Sequence, residues 1–257
     1  CLLDDFLGSN VTYLEKNVAE STLDQIVKIF KNSDNKKLIF TTRTYIYNKA
    51  KDLFYKFYRS TSIKNEYLSK LLNMLFVENK EFIKSFQEHS AAKTVHHGFI
   101  GGLMEHTLSV TRLCEYMAGA YPLLNRDLLI TASLLHDVGK TRELSSFPLN
   151  DYTDEGQLLG HIIIGAQMIH DMAKEISDFP VNLENQLVHC ILAHHGELEY
   201  GSPKKPALAE AVALNLADNT DARMETLTEI FANDKGKKEW LGYNRLFESN
   251  LRRTGDF

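Results

Sequence analysis

The chain is poor in cysteine: Cys1, Cys114 and Cys190 are odd in number, far apart and outside any CxxC pair. That argues against a disulfide framework and against a thiolate-built zinc site, and it makes a reducing cytoplasm the expected compartment. No apolar run approaches the roughly 20 residues that a membrane-spanning helix needs. The opening CLLDDFLGSN lacks the basic flank and long apolar stretch of a signal peptide. An excess of positive charge is missing as well. The net charge of −5 advertises no nucleic-acid or membrane surface globally, so any basic patch must be local. What remains is an ordinary globular composition, in which 257 residues with 44% hydrophobic content provide for one large or two small domains with a sizeable core. Because the chain opens on Cys rather than Met, a processed or cropped form of a longer product is expected.

Apolar spacing from Leu14 to Phe30 suits an amphipathic helix, which the polar run KNSDNKK breaks. Residues 38–47, LIFTTRTYIY, are β-branched and aromatic enough for a strand, yet one isolated strand gains little without partners, so this stretch stays open. Ala50, Leu53, Phe54, Phe57 and Tyr58 mark one helical face and Leu68, Leu71, Leu72, Leu75 and Phe76 another, which predicts helices over 48–60 and 64–88. From His97 to Met224 helix follows helix, punctuated at Pro122, Pro148, Pro180 and Pro203. The expected fold is all-α: a mainly helical N-terminal segment over 1–88, a helical bundle over 89–231, and a tail over 232–257 that packs as a short helix plus a loose end.

Within the bundle, His136-Asp137 is an adjacent pair inside the apolar stretch LLITASLLHDVGK. Burying both polar groups requires a compensating partner. Neighbours on a helix differ by about 100 degrees, so a neutral imidazole and a carboxylate can approach one ion from adjacent directions. Lys140 follows on the same face, where its ammonium meets a phosphate held by the metal, and Gly139 leaves room for close approach. His106 in GGLMEHTLSV, His161 in LLGHIIIG, the His194-His195 pair in ILAHHGELEYGSP and Asp218 in LNLADNTDARM offer further ligands. Imidazoles and carboxylates without thiolates describe a site for zinc, manganese, iron or cobalt. They are too many for one tetrahedral ion but suffice for two ions bridged by Asp137 and a hydroxide, an arrangement that clamps a phosphate and activates water. A single histidine on an apolar helix face is more often a hydrogen-bonded core residue than a ligand. The ordered series His, His-Asp, His, His-His, Asp is hard to produce by packing needs alone. His89, His170 and His189 lie outside it and read as surface or packing residues, and Cys190 reads as a buried small hydrophobe.

The order His106, His136-Asp137, Asp218 resembles the H…HD…D signature of HD-domain phosphohydrolases, and His161 and His194 are similar to the extra ligands of the two-metal branch. More narrowly, AAKTVHHGFIGGLMEHTLSV, NRDLLITASLLHDVGKTRELS, GQLLGHIIIG, AHHGELEYGSPKKPALAEAVAL and ADNTDARM resemble the YhaM-type 3′-to-5′ exoribonucleases, from about residue 88 to 226. The resemblance implies an all-helical HD fold and two divalent ions on His106, His136, Asp137, His161, His194 and Asp218. Manganese comes first among these ions, with iron, cobalt, zinc or nickel as alternatives. It also implies stepwise release of nucleoside 5′-monophosphates from single-stranded RNA, and assembly as a homo-oligomer. Asp137 and Lys140 would carry the chemistry, helped by His195 or His97. Lys93, His96 and His97 resemble a basic cluster of the family and, with Lys204 and Lys205 of the GSPKKP loop, are candidates for substrate contact. Such relatives usually carry an OB-type domain ahead of the HD domain; none is recognisable here, and DDFL looks like the linker that follows it. Asn215 stands where relatives often show a histidine.

Between residues 36 and 70 Lys36, Lys37, Arg43, Lys49, Lys51, Lys56, Arg59, Lys64 and Lys70 face only Asp52 and Glu66, with Tyr45, Tyr47, Tyr55 and Tyr58 interleaved. This composition suits a single-stranded RNA surface; equally it describes an amphipathic helix with inward aromatics and solvated lysines. Two rival functions remain. One keeps the chemistry on a smaller substrate, as a nucleotidase, dNTP hydrolase or cyclic-nucleotide phosphodiesterase, although HHGELEYGSP lacks the DGxGYP block of the cyclic-dinucleotide class. The other is a non-catalytic nucleotide-sensing module, which the intact ligand positions oppose.

Overall fold

Helix α1 (Arg43–Ser60) opens the described part of the chain, which in this computed structural model comprises residues 43–93, 99–147, 149–233 and 239–254. The helix expected over Leu14–Phe30 lies outside the described residues. The ambiguous stretch 38–47 is helical from Arg43 onward, continuous with the helix expected from residue 48.

The single helix expected over 64–88 is divided by two asparagines. Asn65 Oδ1 accepts from the backbone N–H groups of Tyr67 and Leu68 (both 3.1 Å) and starts α2 (Glu66–Asn73). A π-helical turn, Met74–Glu78, follows, and Asn79 caps α3 (Lys80–Glu88) by accepting from Phe82 N at 2.9 Å. Asparagine at these two positions supplies the side-chain acceptor that a new helix start requires. The aromatic residues of these elements interlock: Phe54 lies 5.7 Å from Phe76 and 5.4 Å from Phe86 between ring centroids.

Tyr55 and Tyr58 belong to this packing. Tyr55 Oη accepts a hydrogen bond from Gln87 Nε2 at 2.9 Å, and Tyr58 stacks on Phe54. Lys56, Arg59, Lys64 and Lys70 are exposed. For this part of the basic segment the structure shows inward aromatics and solvated cations. Lys36 and Lys37 lie outside the described residues, as do the side chains of Arg43, Tyr45, Tyr47 and Lys49.

The bundle continues with α4 (Gly102–Ala120), α5 (Arg126–Leu135), the short α6 (Lys140–Glu143), α7 (Asp154–Glu175), α8 (Val181–Ala193), a 3₁₀ turn at Leu198–Tyr200, and α9 (Ala209–Asn233). Helix α5 is the axis. Every residue from Leu128 to Leu135 is buried, and α4, α8 and α9 pack around it. A largely apolar helix that is buried on all sides belongs inside a bundle. The α1 to α3 segment is not set apart from this core, because α1 packs on α4 and Phe54, Leu71, Phe86, Leu103 and Leu134 form one apolar cluster. None of the described helices is long and apolar enough to cross a membrane.

The tail departs from expectation. Instead of a short helix, β1 (Trp240–Asn244) and β2 (Ser249–Arg252) pair antiparallel, with a bulge between Trp240 and Gly242. Gly242 takes φ 93, and Asn244 Oδ1 accepts from Leu246 N at 2.9 Å to make the turn. Glycine at a bulge and asparagine in a turn are hairpin chemistry, which the mixed charged and aromatic composition of the tail conceals.

Because Phe54 is fully buried, Phe54→Ala should lower unfolding stability by about 3–5 kcal/mol. Urea denaturation checks this; a loss below about 1 kcal/mol would show that α1 contributes little to the shared core.

Candidate metal centre

Helix α5 delivers the central pair. His136 is its C-terminal cap rather than an interior residue, so His136-Asp137 stands at a helix end with a turn running on to α6. The last carbonyls of a helix lack intrahelical partners, and His136 Nδ1 donates to one of them, Ser133 O, at 2.7 Å. Helix α8 repeats the device: His194 caps its C-terminus and donates from Nδ1 to Ile191 O at 2.7 Å. His106 comes from the first turns of α4 and Asp218 from α9.

His161 needs a special backbone. Gly160, at φ 72 and ψ 157, breaks α7, so that His161 begins its longer half. Glu143 Oε1 accepts both the backbone N–H of His161 (2.9 Å) and its ring Nδ1–H (3.0 Å). The residue that lets α7 come near the His136-Asp137 turn is Gly139, where a Cβ would meet His161 O at 2.1 Å. The close approach expected at Gly139 is that of the α7 backbone.

The six imidazole and carboxylate side chains read from the sequence converge. His106 Nε2 lies 3.1 Å from Asp218 Oδ1, 3.4 Å from Asp137 Oδ2 and 3.2 Å from His136 Nε2. His136 Nε2 lies 3.4 Å from the same Asp137 oxygen. The other carboxylate oxygen, Oδ1, faces His161 Nε2 at 3.5 Å and His194 Nε2 at 3.7 Å. Asp137 therefore stands between two sets of donors: His106, His136 and Asp218 on one side, and His161, His194 and His195 on the other. Two donors each about 2.1 Å from one ion stand roughly 3–3.5 Å apart, so the spacing fits a metal.

The hydrogen bonds of the rings fit too. His106 Nδ1 is bonded to Asp221 Oδ2 (2.7 Å) and His195 Nδ1 to Tyr200 O (2.8 Å), while those of His136, His161 and His194 also face pure acceptors. A ring whose Nδ1 carries the donated proton presents a lone pair at Nε2. Among the described residues Asp137 Oδ1, His161 Nε2 and His194 Nε2 are buried without a hydrogen-bond partner, a costly arrangement that a cation relieves. Burial holds His194 and His195 below the ordinary histidine range, which keeps them neutral and able to coordinate. Burial acts against the Asp137 carboxylate, but the Lys140 ammonium and the surrounding imidazoles outweigh it and hold its carboxyl well below the usual range. Cys114 and Cys190 are buried, and burial pushes both thiols up to about 12, so neither is a thiolate ligand.

Lys140 Nζ sits 2.6 Å from Asp137 Oδ2 and lines a cleft of about 480 Å³ that opens over His106, His195 and Asp218. His195 lies beside His161 and His194, within the second donor set. Lys93, Lys204 and Lys205 do not line the cleft: Lys93 pairs with Asp151 and Lys205 with Glu197, both at 2.5 Å. His96 and His97 lie outside the described residues. Asn215 donates from Nδ2 to His194 O at 2.8 Å, so it supports a ligand rather than replacing one. The sequence reading missed Glu143 and Asp221. Asp221 lies one turn after Asp218 on α9, a spacing that could have been noticed. Glu143 reaches His161 across the α6 to α7 connection, and no local spacing announces that.

The fold is a helical bundle with imidazoles and carboxylates converging on its core, in two groups that could hold a metal ion. A family model described as HD domain matches residues 103–223, which include all of these candidate ligands. A second model, described as Novel STAND NTPase 3, matches residues 1–87. Relatives include the 3′-5′ exoribonuclease YhaM of Bacillus velezensis, 42% identical over 147 residues, covering 56% of this chain and 46% of the relative. That of Bacillus subtilis is 39% identical over 167 residues (64% and 51%), and that of Listeria innocua 37% over 175 residues (67% and 54%). The resemblance read from the motifs therefore holds, and the chain spans about half the length of the curated relatives it matches. No solved structure matches the chain.

Glu143→Gln keeps an acceptor for the His161 backbone, whereas Glu143→Ala removes it. The alanine variant should weaken Mn²⁺ binding about 10–100-fold, with glutamine between it and the unmodified chain, as read by calorimetric titration. Unchanged affinity in both would remove His161 from the ligand set.

Proposed function

We propose that this chain is a metal-dependent phosphodiesterase acting as a 3′-to-5′ exoribonuclease on single-stranded RNA in the cytoplasm, with manganese as the preferred ion and nucleoside 5′-monophosphates as products. The observation that carries the reading is Asp137, a buried carboxylate with one oxygen turned to each of two imidazole sets, in an HD domain about 40% identical to proteins named as exoribonucleases.

His106, His136 and Asp218 would hold one ion, His161, His194 and His195 the other, and Asp137 would serve both. Charge favours two. Among the described residues, Asp137, Asp218, Asp221 and Glu143 face the ammonium of Lys140 among the imidazoles. One divalent ion leaves that cluster negative, and two leave it slightly positive, which suits an anionic diester. When bound, such ions supply Lewis-acid charge and a nucleophilic water at neutral pH. The chain's own groups do the rest. Lys140, at the cleft wall, neutralises charge on the phosphoryl oxygens and hands a proton to the departing 3′ oxygen. Asp221 and Glu143 fix the rings of His106 and His161. The position of His195 favours a ligand role over that of proton donor.

Digestion of 5′-end-labelled single-stranded RNA with Mn²⁺ tests this. A ladder shortening from the 3′ end is expected, abolished by EDTA and reduced about 1,000-fold or more in Asp137→Ala. Intact RNA alongside hydrolysis of a free nucleotide would move the assignment to a nucleotidase.

A further inference from the structure

The cleft over the metal centre has a second wall that the chemistry above leaves unused. Beyond Asp218, α9 lines it with Asn219, Arg223 and Thr226, while Tyr200 of the 3₁₀ turn and Leu246 of the hairpin loop add apolar surface. Arg223 Nε donates to Asn219 Oδ1 at 3.0 Å, one helical turn back, which holds the guanidinium stem against the helix. Its Nη groups make no hydrogen bond or ion pair to any described residue, and no carboxylate other than Asp218 is among the described residues lining the cleft. A held but unpaired guanidinium, flanked by amide and hydroxyl groups, presents the planar donor edge that phosphate oxygens accept. Arg223 lies five positions after Asp218, about 7.5 Å along the helix axis. One nucleotide bridges such a span.

We propose that Arg223, positioned by Asn219, binds the phosphate one nucleotide 5′ of the scissile one and thereby selects a chain over a free nucleotide, an assignment that rests on the phosphodiesterase reading of the centre. A mononucleotide places its phosphate at the metals and has nothing to offer Arg223. Only a chain of two or more linkages reaches both, with Tyr200 and Leu246 as surfaces for the intervening base. The contact is to backbone, so it favours no base.

The test compares two substrates in the unmodified chain, Arg223→Ala and Arg223→Lys. Bis(p-nitrophenyl) phosphate has a single phosphate, whereas a single-stranded oligoribonucleotide reaches the second site. Arg223→Ala should lower kcat/KM on RNA about 10–100-fold, mostly through KM, and leave hydrolysis of the small diester unchanged. Arg223→Lys should recover part of the loss. The slope of log KM for RNA against log salt should shrink by about 0.7 in the alanine variant, as for one lost phosphate contact on a single strand. Arg223 is exposed, so these changes leave the fold intact, which circular dichroism verifies. Equal losses on both substrates, or none on RNA, would overturn the assignment. An unmodified chain that cleaves the small diester but no RNA overturns the exoribonuclease reading as well. RNA digestion that is indifferent to Arg223→Ala overturns this assignment alone.

Discussion

The centre depends on where the Nδ1 protons go. His106, His136, His161, His194 and His195 each commit Nδ1 to an oxygen that can only accept, a carboxylate for two of them and a main-chain carbonyl for three. That single constraint fixes tautomer and ring orientation together, and it turns the Nε2 lone pairs inward. His106 and His136 consequently bring two such nitrogens to 3.2 Å, a repulsive approach unless a cation or a proton lies between them. The rest of the architecture can be read as the support this arrangement requires.

Helix ends provide much of that support. Ser133 O and Ile191 O are last-turn carbonyls, so His136 and His194 satisfy helix termini with the same bonds that orient them as donors. Neither carbonyl would be available had α5 or α8 run on another turn. Helix α5, buried on all sides from Leu128 to Leu135, holds the Asp137 carboxylate in the bundle core, where its two oxygens stay apart from solvent and face opposite sets. Gly139 and Gly160 then admit α7. The first removes a Cβ that would strike His161 O, and the second accepts the left-handed backbone that starts a helix at His161.

These dependencies explain what the sequence disclosed. The ligand residues were legible because each is a polar group in an apolar helical setting, and the series of types is specific even when its members are not. The all-helical bundle followed from periodicity for the same reason. Glu143 and Asp221 were missed because they act through another side chain, and Glu143 does so across a connection between helices. The hairpin at 240–252 was missed because its signals, Gly242 and Asn244, lie in a segment whose charged residues mask alternation. The lysines proposed for substrate contact illustrate a different limit. Composition marks Lys93 and Lys205 as cations, but only the fold shows that Asp151 and Glu197 already hold them.

Helix α9 shows how chemistry and selection are kept separable. Its inward positions Ala211, Leu214, Ala217 and Asp221 are buried and tie it to α4, α5 and α8, and Asp221 also anchors His106. Asp218 stands at the margin of that face, and Asn219 and Arg223 look into the open cleft. A change at an inward position disturbs packing and metal ligation together, since both depend on the same helix contacts. A change on the cleft face meets solvent and substrate only. The unpaired guanidinium on that face adds local positive charge to the cleft wall beyond the carboxylates of the centre, because an exposed ion pair is largely screened while an unpaired charge beside a low-dielectric wall is felt over several ångströms.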